Sequence, residues 1–464
     1  MSFGIDIFRK KNIASICEVS ADSKLEKRLG AVDLILMGIG AVIGTGIFVL
    51  TGIQAATVAG PAVTISFMLA GITCIFVALA YTEIASSVPS AGGSYTFTYI
   101  SLGEIVAWLI GWTSVIQFCI GATTVAAGWS GYLTGILAQA DIHMPYDFVN
   151  TPSNGGIVDL PACLVCLVIT AILIRGIKES TTFNAVLVAV KLIAIFLFLI
   201  IAVPHFNLEN WSNFTPFGVK GITVAAGAIF MAYTGFDSVA NAAEECKNPE
   251  RDITFGIIGS LLVCIVLYVL VAGMLTGIVP FSQLNNSEPL AYALRSTGSN
   301  IGGALVAAGG IAGMTTVILL QIYAQSRIFM VMSRDGLLPK CFSKIHPKFH
   351  TPYIGTIIIG VSMSIVAGFV PISIMGNLAS MATLIVFAFV AVSAFVLRKT
   401  KPNLKRPFKC PAISVVTALA VFSCLYLIIS LTESVGCIML IWIIIGLIIY
   451  FAYSKKNANK IYKA

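Results

Sequence analysis

Charge is what this 464-residue chain has least of: only 10% of its residues are Asp, Glu, Lys or Arg. A soluble protein carries about 25%, because its whole surface has to be wetted. Soluble enzyme, disordered scaffold and nucleic-acid binder are excluded at once. Ligands for metal chemistry are scarce too. His346 and His350 are spaced for one helix face, but Pro347 between them breaks it. Cys163 and Cys166 form a Cys-x-x-Cys pair inside an apolar run, where thiols act as small core hydrophobes. No nucleophile–base pair stands out in any apolar run, so an enzyme is not expected, nor is any cofactor or metal. The polar first thirty residues show no signal-peptide pattern.

What is present is apolar: 58% of the residues are hydrophobic. A helix crossing a bilayer needs about 20 apolar residues, and the runs between breakers predict twelve. They fall near 32–56, 62–86, 104–138, 158–176, 180–203, 220–245, 252–279, 301–331, 353–371, 377–397, 411–431 and 434–453. The runs are too long, and lack the period-two alternation, for a membrane barrel. The class is an all-α polytopic membrane protein. Basic residues set its expected orientation. With the N-terminus inside, 25 of 28 Lys and Arg fall on the inner side, Lys220 and Arg295 fall outside, and Lys191 belongs to neither. Both termini are expected in the cytoplasm.

Two helices carry interruptions. The first reads GIGAVIGTGIF, with Gly38, Gly40, Gly44, Thr45 and Gly46. Small residues at such spacing also serve close helix packing, so one break alone would decide little. The sixth, however, reads GAIFMAYTGFDSVANAAEE, with Gly235 and then Asp237 at mid-membrane depth. Paired interrupted helices point to an inverted repeat around a central site. An unwound stretch frees carbonyls, which bind an ammonium, and amides at a positive dipole end, which bind a carboxylate. Backbone at Ile43, Gly44, Thr45 and Gly46, and at Phe230, Met231, Ala232, Tyr233 and Gly235, is thus expected to hold the two ends of an α-amino acid. Glycine admits the ligand close to the chain.

The runs GIGAVIGTGIFVLTG, YTEIASSVPSAGGSYTFTY, FMAYTGFDSVANAAEECKNPERD and SRIFMVMSRDGLLPK resemble the amino acid–polyamine–organocation superfamily, and within it the cationic amino acid transporter branch. The likeness runs from Gly30 to about Arg398. It implies two inverted five-helix repeats, 31–203 and 204–398, behind a cytoplasmic segment 1–30. Helices 11 and 12 (399–453) and a cytoplasmic tail (454–464) would follow. It also implies alternating access in a cell membrane, here a bacterial inner membrane.

Lys191 is the one base deep in a span, where translocon scales charge about 2.5–3.5 kcal/mol. A long stem can snorkel to the interface, but apolar residues flank Lys191 for many positions on both sides. In similar transporters a lysine here stands where sodium-coupled relatives hold sodium, which implies proton coupling. Asp237 is the one deep acid; a half-helix cap and a part in proton transfer are both open to it. Glu83 ends helix 2, with Lys27 or Arg28 as candidate partner at an inner gate; Glu244 and Glu245 read as a solvated cluster with Lys247 and Arg251. Bacterial relatives of the branch often carry a glutamate where Gln117 stands, and Gln321 is a second polar residue expected to face the cavity. Similar proteins have two aromatics at Phe230–Met231, so which of the pair lids the substrate stays open. The expected function is proton-coupled symport of cationic and small neutral L-amino acids. An exchanger of the same fold, or a non-transporting channel or sensor, is the alternative. Substrate, protons and lipid are the expected partners, with no nucleic acid.

Overall fold

The computed structural model describes residues 7–13, 29–88, 90, 92–175, 181–241, 246–349 and 351–463. Lys27, Arg28, Glu244, Glu245 and His350 lie outside these residues. Among the described residues every element is helical, as hydrocarbon demands of an open chain that must satisfy its own backbone groups. Seven helical runs are long and apolar enough to cross a membrane, and Ala31–Val42, Leu160–Ile174 and Tyr353–Phe369 are shorter apolar helices.

Helix α1 is Ala31–Val42, and after a break the chain resumes as α2 over 46–59. Then come α3 (Val63–Ser87), α4 (Gly93–Ser101), α5 (Glu104–Gln139), α6 (Leu160–Ile174) and α7 (Thr181–Ala202). Helix α8 (Gly218–Ala228) is followed by a single 3₁₀ turn, Phe230–Tyr233, and by the short α9 (Phe236–Asn241). The remaining helices are α10 (Pro249–Ile278), α11 (Pro289–Ser296), α12 (Asn300–Arg334), α13 (Tyr353–Phe369), α14 (Ile372–Thr400) and α15 (Ile413–Ile449). Prolines open several of them where a missing N–H costs nothing: Pro161 in α6, Pro249 in α10, Pro289 in α11. Asp159 caps α6, accepting from Ala162 N at 3.2 Å.

Helix α1 packs on α7, α10 and α12, α7 packs on α10 and α12, and α5 packs along α12. Tyr81 of α3 lies edge-on to Phe236 of α9 and Phe387 of α14, which are tilted against each other.

Two expectations are corrected. The separate helices at 411–431 and 434–453 are one uninterrupted helical run, Ile413–Ile449. Ser430 reaches Thr223 in α8, and the second half packs antiparallel to α5: Trp442 stacks on Trp112, Gly446 O accepts from Trp108, and Tyr450 beyond the end donates to Glu104. The backbone stays helical through Thr432–Gly436, where a gap was expected. Glu83 is the second correction. It pairs with Arg398 and Arg406, and accepts from Cys410 N at 2.9 Å. These cations come from the last turn of α14 and the loop after it, more than 300 residues away in sequence, while the expected partners Lys27 and Arg28 lie outside the described residues.

Candidate functional site

The first break is three residues long. Ile43 is extended (φ −73°, ψ 104°), and the ladder resumes with Ile47 N and Phe48 N both donating to Gly44 O. The carbonyls stranded at the end of α1 are not left bare. Lys191, fully buried on α7, donates to Gly40 O at 2.6 Å and to Ile43 O at 3.2 Å. Its Nζ also reaches Gly313 O at 3.4 Å and Thr316 Oγ1 at 3.0 Å on α12. Four acceptors from two helices surround one amine. An ammonium has three N–H donors to meet them; a neutral amine has two, and would turn a lone pair toward a carbonyl.

The second break is longer and held differently. Between Ala228 and Phe236 the chain makes its 3₁₀ turn, extends at Thr234 (φ −68°, ψ 146°), and passes through Gly235 at φ +123°. A side chain is strained at that φ. Ser380 on α14 spans the break, donating to Ala228 O at 2.7 Å and accepting from Met231 N at 3.0 Å. Tyr233 donates to Phe67 O at 2.8 Å, and Phe230 lies edge-on to Phe387. Asp237 accepts from Gly235 N at 3.1 Å, a capping contact at the start of α9.

The two breaks touch. A methyl built at Gly46 would sit 2.2 Å from Ala232 Cβ, and one at Gly235 would sit 2.6 Å from the Ala41 carbonyl carbon. Tyr268, buried on α10, lies with its hydroxyl 2.9 Å from both Val42 O and Ala232 O, so one donor serves a stranded carbonyl from each break. The glycines here bring chain against chain, where the sequence reading had them bring chain against substrate.

Beside the contact is a cavity of about 10 Å³, room for one water. Gln117, Phe118, Gln321, Thr234, Gly235 and Ala41 line it. Gln117 and Phe118 sit in a π turn, Ile116–Ile120, that interrupts α5; such turns re-aim side chains and recur at functional sites. Gln117 Nε2 donates to Asp237 Oδ2 at 3.4 Å, while the carbonyl oxygens of Gln117 and Gln321 are buried without a protein partner. Of the residues singled out by sequence, Gln117, Gly235 and Gln321 meet at this cavity. Gly44, Gly46 and Ala232 form the adjoining helix contact, with Gly44 against Val317. Thr45 turns toward Val125 O at 3.4 Å. Phe230, Met231 and Tyr233 face away from the cavity, toward α14 and α3. Tyr268, Thr316 and Ser380 were missed, because one hydroxyl in an apolar helix looks like any core residue.

Apolar helices, with two unwound segments meeting at a small polar cavity, define a permease built into the membrane. The chain belongs to the amino acid permease family, whose model matches residues 29–448. Two relatives from Bacillus subtilis (strain 168) are each 43% identical: the methylthioribose transporter, over 97% of this chain and 98% of its own, and the branched-chain amino acid permease BcaP, over 98% of both. The vacuolar cationic amino acid transporter 4 of Arabidopsis thaliana is 36% identical over 86% of this chain and 68% of its own. Family and relatives are transporters, not enzymes.

Proposed function

We propose that this protein is a proton-coupled carrier of neutral L-amino acids that works by alternating access. The observation that carries the reading is the Lys191 amine on Gly40 O, Ile43 O, Gly313 O and Thr316 Oγ1. Protonated, it ties the α1 break to α7 and α12; deprotonated, it loses a donor and turns a lone pair toward its neighbours, so α1 is released. Proton loss and gain at one atom then alternate the two arrangements. No sodium is needed where an ammonium already fills the place.

Substrate enters where the breaks meet. Its carboxylate lies on the amides at the start of α2, and its ammonium on carbonyls of the 229–235 segment. Its side chain extends toward Gln117 and Gln321. Neutral substrates fit better than cationic ones because the acid facing this place, Asp237, is engaged by Gln117 and by Gly235 N. The printed name of one Bacillus relative, the branched-chain amino acid permease BcaP, supports the same choice. We place the chain in a bacterial inner membrane with both termini in the cytoplasm, on the distribution of Lys and Arg, and read α1–α7 and α8–α14 as the two inverted repeats.

Purified protein in proteoliposomes tests the proposal. An imposed pH gradient, acid outside, should drive accumulation of labelled leucine or alanine in the wild type. Lys191→Met should bind substrate yet fail to accumulate it. Accumulation at the wild-type level in Lys191→Met would refute the coupling.

A further inference from the structure

Away from the central site, on the face that carries Glu83, Glu104 and Asp335, lies a much larger cavity of about 660 Å³. One wall is residues 10–13 and the other is the loop 400–404 after α14, with Ile100 at the end of α4 between them. Its lining contributes Lys10, Lys11 and Lys401 with Asn12 and Asn403, and no acidic residue among the described residues. Lys11 is paired with Asp335 at 2.7 Å. Lys10 and Lys401 are exposed, with no ion-pair partner among the described residues.

Both walls are built by contacts that owe nothing to a ligand. The N-terminal wall is pinned by Arg9 on the fully buried Glu104, by Lys11 on Asp335, and by Ile105 N donating to Ile7 O at 3.0 Å. Gly103, at φ +101°, lets the Phe8 backbone lie directly on the turn before α5. The opposite wall is shaped by Arg406. It pairs with Glu83 and donates to the carbonyls of Lys401, Pro402 and Leu404 at 2.8–3.0 Å. Lys10 and Lys401 thus stand on opposite walls of one open space, which gives it a positive potential that favours an anion.

We infer that this cavity binds a phosphate-bearing anion, taken from an anionic lipid headgroup or from soluble phosphate. The ammonium groups of Lys10 and Lys401 supply donors from both walls, with the Asn403 amide beside Lys401, which is what a phosphate's oxygens accept. Basic pockets on the cytoplasmic side of membrane proteins take lipid headgroups in this way. Occupancy joins the segment before α1 to the end of α14, so the ligand stabilises this face in its present arrangement.

The test is thermal unfolding of the full-length protein in nanodiscs of three kinds: phosphatidylcholine alone, phosphatidylcholine with phosphatidylglycerol, and phosphatidylcholine with inorganic phosphate in the buffer. A ligand of the folded state raises the apparent Tm. The wild type should melt higher with phosphatidylglycerol, or with phosphate, than in phosphatidylcholine alone. The arm that shifts identifies the source. Lys10→Gln/Lys401→Gln should lose the shift. Lys10→Arg/Lys401→Arg should keep it, and so should Lys344→Gln/Lys348→Gln, which removes two exposed charges elsewhere. Each variant is read against its own phosphatidylcholine baseline, and the single substitutions serve if the double variant melts early. No shift in either arm for the wild type would overturn the inference. So would an equal shift in Lys10→Gln/Lys401→Gln, or equal loss in both glutamine pairs, which would mean diffuse attraction only.

Discussion

The two broken helices solve one problem with opposite chemistry. Each leaves backbone groups stranded in an apolar interior, where every unmade hydrogen bond costs about 1–3 kcal/mol. At Ile43–Gly46 the stranded carbonyls are met by a titratable amine, Lys191. At the second break they are met by hydroxyls, Ser380 on Ala228 O and Tyr268 on Ala232 O, with Tyr268 reaching Val42 O of the first break as well. Under the proposed coupling, the first break is the one a proton switches, and the second is the one that keeps its shape for the substrate.

The sharpest way to break this comparison is to fill the gap where the two segments touch. Gly46→Leu puts a side chain into Ala232, and substrate binding should vanish while the protein still inserts into membranes. Isothermal titration showing wild-type affinity would separate the site from the breaks. Tyr268→Phe comes next, since its hydroxyl serves both segments. Losing it should cost about 1–3 kcal/mol, read as a lowered Tm, and should slow uptake in both directions. Slowing in one direction alone would show that the bridge belongs to one break.

Selectivity sharpens the comparison on the fixed side. Gln117→Glu sets a second carboxylate beside Asp237, and a cationic side chain between them relieves the repulsion. The change should move preference toward Arg and Lys by about tenfold, because a hydrogen bond to a charged group is worth roughly 1.5 kcal/mol more than a neutral one. Competition against a labelled substrate reads it, and unchanged inhibition by Arg would detach Gln117 from the side-chain site. Ser380→Ala has the smallest expected effect. It removes one hydroxyl from the second break at a cost of about 1 kcal/mol, measured as a modest fall in Tm. Pronounced loss of pH response in that variant would contradict the division of labour.

Much of this was legible before the structure, and unevenly. Lys191 was conspicuous because a lysine in an apolar helix is rare, and Gly235 with Asp237 because a break and an acid fell together. Those signals are local in sequence. Tyr268 and Ser380 act through contacts made by helices α10 and α14, and nothing in the neighbouring residues distinguishes them from core packing. Glu83 shows the same limit from the other side: its charge was noticed, but its partners Arg398 and Arg406 arrive from the end of α14 and the loop after it. A gap between two helices was expected within α15, whereas the backbone stays helical from Ile413 to Ile449.

The central claim is that the proton carried with substrate passes through Lys191. The direct measurement is the pH inside proteoliposomes, reported by a trapped dye when substrate is added outside without an imposed gradient. The account predicts that substrate entry acidifies the lumen with the wild type, and that Lys191→Met bound to the same substrate leaves the lumen unchanged. Acidification by Lys191→Met at the wild-type rate would contradict it.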